Sequence, residues 1–193
     1  KKNSISIAKK IFKNKNVKFL CEDLTDSKTT LWPKMIKGFE ACVMLQAEIG
    51  NKDETLFQRN NVLSTKIILN ELKKNKIKRL IHISSSVVQS VAKDEYTKTK
   101  REQQKIVCNN WDKPLVLSPT LMFGWFDRKH LGWLAKFMKT FPIFPIPGTG
   151  KFIRQPLFVQ DFCKIIESGL INKKLNGIYE ITGLERITYL SLM

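Results

Sequence analysis

Ile81-His-Ile-Ser-Ser-Ser86 is the first of two segments that decide the fold. The second segment, Tyr96-Thr-Lys-Thr-Lys100, begins ten residues beyond the last of these serines. The first part is typical of a buried strand that ends in three serines, and the second of a helix that begins near Asp94. Residues four apart share one helix face, so Tyr96 and Lys100 point the same way. A hydroxyl, a phenol and an ammonium can then meet at a strand end, where open α/β sheets bind ligands.

The Tyr-x-x-x-Lys spacing has little weight on its own, because lysine is so common in this chain. Of its 34 basic residues only six are arginine, and it contains three tyrosines. A pair with this spacing therefore also arises by chance on a solvated helix face. The position of the pair after the serine strand is what favours a catalytic role.

The formal net charge of +17 raises the question of nucleic-acid binding. The basic residues are spread along the whole chain, and we find neither aromatic–basic interleaving nor a finger or helix-turn-helix pattern. We therefore expect a solvated lysine surface and no nucleic-acid partner. The positive electrostatic field of this lysine surface suits a phosphate-bearing ligand.

The four cysteines, Cys21, Cys42, Cys108 and Cys163, form no Cys-x-x-Cys pair. We therefore expect reduced thiols, with neither a disulfide framework nor a metal site. The chain has no apolar run of about 18 residues and no signal-peptide pattern at its start. These features predict a cytoplasmic protein without a membrane span.

Strand-like and helix-like segments alternate along the chain. Strands are predicted at 17–20, 41–45, 78–83, 115–117, 152–159 and 177–182. Helices are predicted at 4–14, from Thr25 or Asp26 to Lys37, and at 53–75, 94–109, 130–141 and 161–170. This alternation predicts an α/β fold with a parallel sheet and right-handed crossovers.

Seven short stretches carry further information through their order: Asp23-Leu24, Val43-Met-Leu-Gln-Ala47, Asn61-Val-Leu-Ser-Thr65, Ser84-Ser-Ser86, the Tyr96–Lys100 pair, Leu117-Ser-Pro-Thr-Leu-Met-Phe-Gly124, and Arg154-Gln-Pro-Leu-Phe-Val-Gln-Asp161. Together they resemble the extended short-chain dehydrogenase/reductase family, the NAD-dependent epimerases and dehydratases that act mostly on nucleotide sugars. Ser64 stands where the family has glycine, and Ser118 where arginine is common.

The resemblance implies a catalytic set of Ser86, Tyr96 and Lys100. Ser86 would hydrogen-bond the substrate oxygen, Tyr96 would move a proton to or from it, and the Lys100 ammonium would lower the pKa of the phenol. The implied cofactor-binding residues are Asp23, Leu24, Ala47, Asn61, Lys100 and Pro119. The implied substrate-binding residues are Ser85 and Arg154.

Three of the polar residues also have simpler interpretations. Asn61 can be a structural residue that fixes a strand near the site. Arg154 can form a surface salt bridge to Asp161 or Glu167 instead of binding a substrate phosphate. His82, within a strand, is expected to be buried and hydrogen-bonded.

Two features depart from the family. None of the nine glycines forms the Gly-x-x-Gly-x-x-Gly turn that cradles a pyrophosphate, and the chain begins at what resembles the helix after the second strand. We therefore expect it to be short by roughly fifty residues at its start and to bind a dinucleotide weakly by itself. The ten-residue gap between Ser86 and Tyr96 resembles an atypical branch of the family that includes non-catalytic subunits.

The sequence thus predicts an α/β fold with a Rossmann-like parallel sheet, incomplete at its N-terminus, over 1–124. A small C-terminal lobe over 125–193 is expected mainly to bind substrate, with elements that return to the sheet. The resemblance implies an oxidoreductase, epimerase or dehydratase that uses NAD or NADP on a nucleotide sugar or a related hydroxyl compound. It is also compatible with a homodimer. The alternative is a non-catalytic nucleotide-binding sensor or assembly subunit of the same fold.

Overall fold

The computed structural model describes residues 16–26, 31–127, 130–141, 143–146 and 148–193, so the helix predicted at 4–14 lies outside the described residues. The strands are β1 Ala41–Met44, β2 Arg79–Ile83, β3 Leu115–Pro119, β4 Met122–Phe123, β5 Ile153–Arg154, β6 Leu157–Phe158, β7 Gly177–Ile181 and β8 Ile187–Thr188. The α-helices are α1 Leu31–Met35, α2 Glu54–Phe57, α3 Ser64–Lys74, α4 Glu95–Asn110, α5 Leu131–Thr140, α6 Val159–Ile171 and α7 Tyr189–Leu192. None of these helices is both long and apolar enough to span a bilayer.

Four strands form the main sheet in the order β1-β2-β3-β7, and every neighbouring pair is parallel. Ile81 of β2 is paired with Val43 on one side and with Leu115 on the other. Helices connect the strands, as parallel pairing requires. The predicted α/β fold with a Rossmann-like parallel sheet is confirmed.

The sheet is covered on both faces, which explains why β2 and β3 are buried along their whole length. On one face Leu80 and Val116 pack against side chains of α3 and α4, and on the other Ile81 and Leu115 pack against α6. A Cβ on Gly169 would come within 2.5 Å of the Leu115 side chain, so the glycine lets α6 lie close to the sheet.

Two strand predictions need correction. Residues 17–20 are not a strand: Val17 and Leu20 are exposed, and within the described sheet β1 pairs only with β2. The stretch predicted as one strand at 152–159 forms two short strands, β5 antiparallel to β8 and β6 parallel to β4. Pro156 lies between them, and because proline has no N–H it cannot continue a hydrogen-bonded ladder.

The long helix predicted at 53–75 is present but not uniform. A π-helical segment, Gln58–Leu63, separates α2 from α3. Wider turns of this kind are rare and often occur at functional sites. Here the segment contains Asn61, whose side chain is completely buried.

Candidate functional site

Helix α4 carries the Tyr-Lys pair, and its first turn is fixed by a cap. The Asp94 carboxylate accepts hydrogen bonds from the Thr97 backbone amide at 2.9 Å and from the Thr97 hydroxyl at 2.8 Å. These bonds hold the pKa of Asp94 below its ordinary value. The cap starts the helix at Glu95, so that Tyr96 lies in the first turn and Lys100 one turn later.

Lys100 is a buried cation, with only 1% of the residue exposed. Its Nζ donates to the backbone oxygen of Ile83 at 3.2 Å and to Oε1 of Gln103 at 2.5 Å. Burial penalises the charged form and lowers the pKa of Lys100 to about 8. The ammonium is thus held at the end of β2.

Tyr96 is half-buried, and its pKa is raised above the ordinary value. Burial is the main cause, and the Asp94 carboxylate adds to it, whereas a hydrogen bond with the Ser85 side chain acts in the opposite direction. The family resemblance implied a pKa lowered by the Lys100 ammonium, but burial has the larger effect and raises it. The phenol is therefore protonated at neutral pH.

The three serines that follow β2 have different surroundings. Ser84 donates to Oε1 of Gln104 at 2.5 Å and is buried. Ser85 caps a 3-10 turn, Ser86–Gln89, and its side chain acts to lower the pKa of the Tyr96 phenol. Ser86 is the first residue of that turn. The serine that influences the phenol is thus Ser85 rather than Ser86.

Most of the predicted residues meet at one cavity of about 420 Å³, which we call the catalytic cavity. Its walls include Ala47, Ser85, Ser86, Tyr96, Lys100 and Pro119. It lies at the carboxyl ends of β1, β2 and β3. Open parallel sheets bind their ligands at this edge.

A second cavity of about 650 Å³, the nucleotide cavity, is lined by Asp23, Leu24, Ala47 and Arg59 among others. Ala47 belongs to both cavities. The Asp23 carboxylate accepts from Arg59 at 2.5 Å. Hydrogen bonds from Thr25, and then the Arg59 charge, hold the pKa of Asp23 low.

Asn61 does not line either cavity. Its Oδ1 accepts from the Glu48 backbone amide at 2.7 Å, and its Nδ2 donates to Oγ1 of Thr99 at 3.0 Å. It therefore joins the loop after β1 to helix α4. This geometry agrees with the structural interpretation of Asn61 rather than with direct cofactor contact.

Arg154 lies at a third cavity of about 320 Å³, together with Ser86 and Gln155. Its guanidinium stacks on the Phe152 ring, 4.5 Å from the centroid. Within the described residues it forms no ion pair, and Asp161 pairs with Lys164 at 3.2 Å instead. Because Ser86 lines this cavity and the catalytic cavity, the two adjoin.

His82 is buried as expected, but the expected hydrogen bond is not made. Neither ring nitrogen has a hydrogen-bond partner among the described residues, and the same holds for Oγ of Ser118. Burial, and to a smaller extent the Lys100 charge, lower the pKa of His82 to about 3. The imidazole is therefore neutral at physiological pH.

Two residues of the site were missed in the sequence. Gln103 binds Lys100, and its position three residues further along the helix is a spacing at which side chains meet. Arg101 donates to the backbone oxygens of Val88 at 2.9 Å and Ala92 at 3.3 Å, and also to that of Ser90. It fixes the short loop between Ser86 and Tyr96, and no local pattern predicts those contacts.

The arrangement suits a dinucleotide. Two cavities that share Ala47 follow the carboxyl edge of the sheet, with the buried Lys100 ammonium on the wall of one and Asp23 on the wall of the other. Among the described residues no group of three His, Cys, Asp or Glu is arranged to hold a metal ion.

Neither a protein-family model nor a curated protein sequence matches the chain. Solved structures do match. UDP-glucuronic acid 4-epimerase from Bacillus cereus, in complex with NAD, has a TM-score of 0.83 and 22% identity over 96% of this chain and 67% of its own. The dTDP-glucose 4,6-dehydratase DesIV from Streptomyces venezuelae, with NAD bound, has a TM-score of 0.79 and 17% identity over 98% of this chain and 65% of its own.

A UDP-N-acetylglucosamine 4-epimerase from Methanobrevibacter ruminantium M1 has a TM-score of 0.73 and 18% identity over 92% of this chain and 65% of its own. The chain thus spans about two thirds of the length of these structures. At such identities the likeness shows the fold. The chain has the Rossmann-like fold of these epimerase and dehydratase structures, with the parallel sheet that its sequence predicted.

Proposed function

We propose that this protein is a nicotinamide-dependent oxidoreductase, epimerase or dehydratase that acts on a hydroxyl or carbonyl group of a nucleotide sugar. One observation carries the proposal. Ser85, Ser86, Tyr96 and Lys100 line a single cavity at the carboxyl edge of the parallel sheet. The similarity to enzymes whose structures contain NAD or UDP-linked ligands supports it.

NAD or NADP is the proposed cofactor, and it would lie along the two cavities that share Ala47. When bound, it supplies hydride exchange. Lys100 would hold ribose hydroxyls with its ammonium, while Asp23 and Leu24 would contact the adenine and Pro119 the nicotinamide end. Asn61 would act indirectly, by fixing the loop that contains Ala47.

Tyr96 would transfer the proton. Its raised pKa keeps the phenol protonated at neutral pH, so it is prepared to donate to a substrate carbonyl oxygen. The reverse reaction needs the phenolate, which a nearby ammonium favours. Ser85 would hydrogen-bond the phenol, and Ser86, which lines the same cavity, would position the substrate oxygen.

Arg154 would bind the substrate phosphate. Its guanidinium is exposed, stacked on Phe152, and adjoins the catalytic cavity through Ser86. Guanidinium groups bind phosphate through two parallel hydrogen bonds. In this arrangement the sugar would lie near Ser86 and the diphosphate near Arg154.

The second candidate function is a non-catalytic nucleotide-binding or assembly subunit of the same fold. The observation that favours it is the pKa of Tyr96, which burial raises rather than lowers. In addition, the Lys100 ammonium is engaged by Gln103 and Ile83. A site that only binds needs no acidic phenol.

Turnover of UDP- and dTDP-linked sugars with NAD or NADP, measured on the full-length protein, tests the proposal. We expect Tyr96→Phe to lower kcat by about 10²–10⁴-fold, the usual contribution of a proton-transfer group. Tyr179→Phe is the matched control, because Tyr179 lies exposed on β7. Cofactor binding without turnover of any of these sugars would instead establish the second candidate.

A further inference from the structure

Gln103 links the Lys100 ammonium to the opposite side of the site. Its Oε1 accepts from Lys100 at 2.5 Å, while its Nε2 donates to Oγ1 of Thr65 at 2.9 Å and to the Gln46 backbone oxygen at 3.4 Å. Lys100, Gln103 and Thr65 are at most 1% exposed. Because both donor contacts use the amide nitrogen, the amide oxygen is fixed toward the ammonium.

This partner of the ammonium is neutral, which is unusual for a buried cation. Within the described residues no carboxylate pairs with Lys100. Among the described residues, the titratable groups around it are His82 from β2, which is neutral, Tyr96 from its own helix, and His130, which lines the same cavity. An amide oxygen satisfies the ammonium without cancelling its charge, whereas a carboxylate would cancel it.

We propose that Gln103 is the positioning residue of Lys100, which holds the ammonium on the wall of the catalytic cavity while leaving its charge uncompensated. The use of that charge rests on the proposed function, in which the ammonium binds the ribose hydroxyls and stabilises the phenolate of Tyr96. Gln103 itself touches neither of them. It acts through Lys100.

The proposal predicts opposite effects of two substitutions of similar size. In Gln103→Glu, a carboxylate at the same position favours the charged form, so the pKa of Lys100 should rise from about 8 toward that of exposed lysines. In Gln103→Met, the acceptor is lost and burial remains, so the pKa of Lys100 should fall. A residue that only fills space would give no fall in Gln103→Met, since its loss would remove no acceptor from the ammonium.

The experiment is pH-dependent acylation of the folded chain with a small reagent, read by peptide mass spectrometry, which resolves Lys100 from the other lysines. The measured quantity is the midpoint pH of Lys100 labelling, which does not depend on how accessible the amine is. Gln104→Met is the control, since Gln104 contacts Ser84 rather than Lys100 and the substitution introduces no charge. We expect its midpoint to stay at the wild-type value.

A rise in Gln103→Glu together with a fall in Gln103→Met supports the proposal, and an unchanged midpoint in both variants overturns it. If the glutamate variant does not fold, the methionine variant decides by itself, with a fall supporting and no change overturning. The labelling needs neither cofactor nor substrate. Failure of the proposed enzymatic function would therefore leave this result intact, and failure of this inference would leave turnover intact.

Discussion

Asn61 accepts a hydrogen bond from the backbone amide of Glu48 at 2.7 Å, and this bond connects the loop after β1 to the π-helical segment. The same side chain donates to Thr99, one residue before Lys100. Asn61 therefore sets the distance between the loop that contains Ala47 and the helix that carries the proposed catalytic pair.

Replacing Asn61 with alanine should destabilise the protein by about 1–3 kcal/mol, because it removes the acceptor of the partly buried Glu48 amide and the donor to the buried Thr99 hydroxyl. Urea unfolding measures this loss. Asn60→Ala is the control: Asn60 bonds only the side chain of Glu48 near the surface, and we expect about 0.5 kcal/mol or less. Equal losses in the two variants would contradict the assigned role.

Arg101→Met should loosen the loop between Ser86 and Tyr96. The substitution removes the donors for the backbone oxygens of Val88, Ser90 and Ala92. We expect faster amide hydrogen exchange confined to this loop, measured by mass spectrometry. Lys105→Met, at an exposed position of the same helix, should leave the exchange of the loop unchanged.

The buried ammonium of Lys100 should make stability depend on pH in the alkaline range. Its pKa is lowered from 10.5 to about 8, so between these values the unfolded chain binds more protons than the folded one. Stability should therefore rise with pH across that interval, relative to Lys100→Met, which lacks the group. Thermal unfolding of both proteins across that interval gives the difference, and parallel curves would refute the expectation.

Arg154→Gln should weaken substrate binding without affecting folding. The guanidinium is exposed, and among the described residues its partners are the Ile153 backbone oxygen and the Phe152 ring, so thermal stability should not change. We expect KM for a nucleotide sugar to rise by roughly tenfold or more, as a charged hydrogen bond to phosphate is lost. Arg186→Gln, also exposed, serves as the control.

The main sheet could be predicted because its strands are apolar runs that are buried on both faces. Ile81 and Leu115 show this pattern directly, and the serines after Ile83 mark the carboxyl edge. The error at 17–20 has a physical cause: an apolar run becomes a strand only if another strand accepts and donates its hydrogen bonds. Whether a distant strand lies beside the run depends on the whole fold, and a short sequence pattern does not show it.

The electrostatics of the site were harder to predict than its location. The spacing of Tyr96 and Lys100 placed both residues correctly on one cavity, but it suggested a lowered phenol pKa, whereas burial dominates and raises it. The expected hydrogen bond of His82 failed for a similar reason. Burial can be read from a strand pattern, but the polar atoms that surround a buried group come from β1, α3 and α4 together.

Leu45 and Ala47 line both the nucleotide cavity and the catalytic cavity, so these two side chains form the boundary between them. Small molecules that each fill one cavity can therefore be found separately and then joined across this boundary. Covalent linkage makes the second binding event intramolecular and raises its effective concentration, provided that the linker matches the span. A ligand that spans both cavities can thus be assembled in two halves.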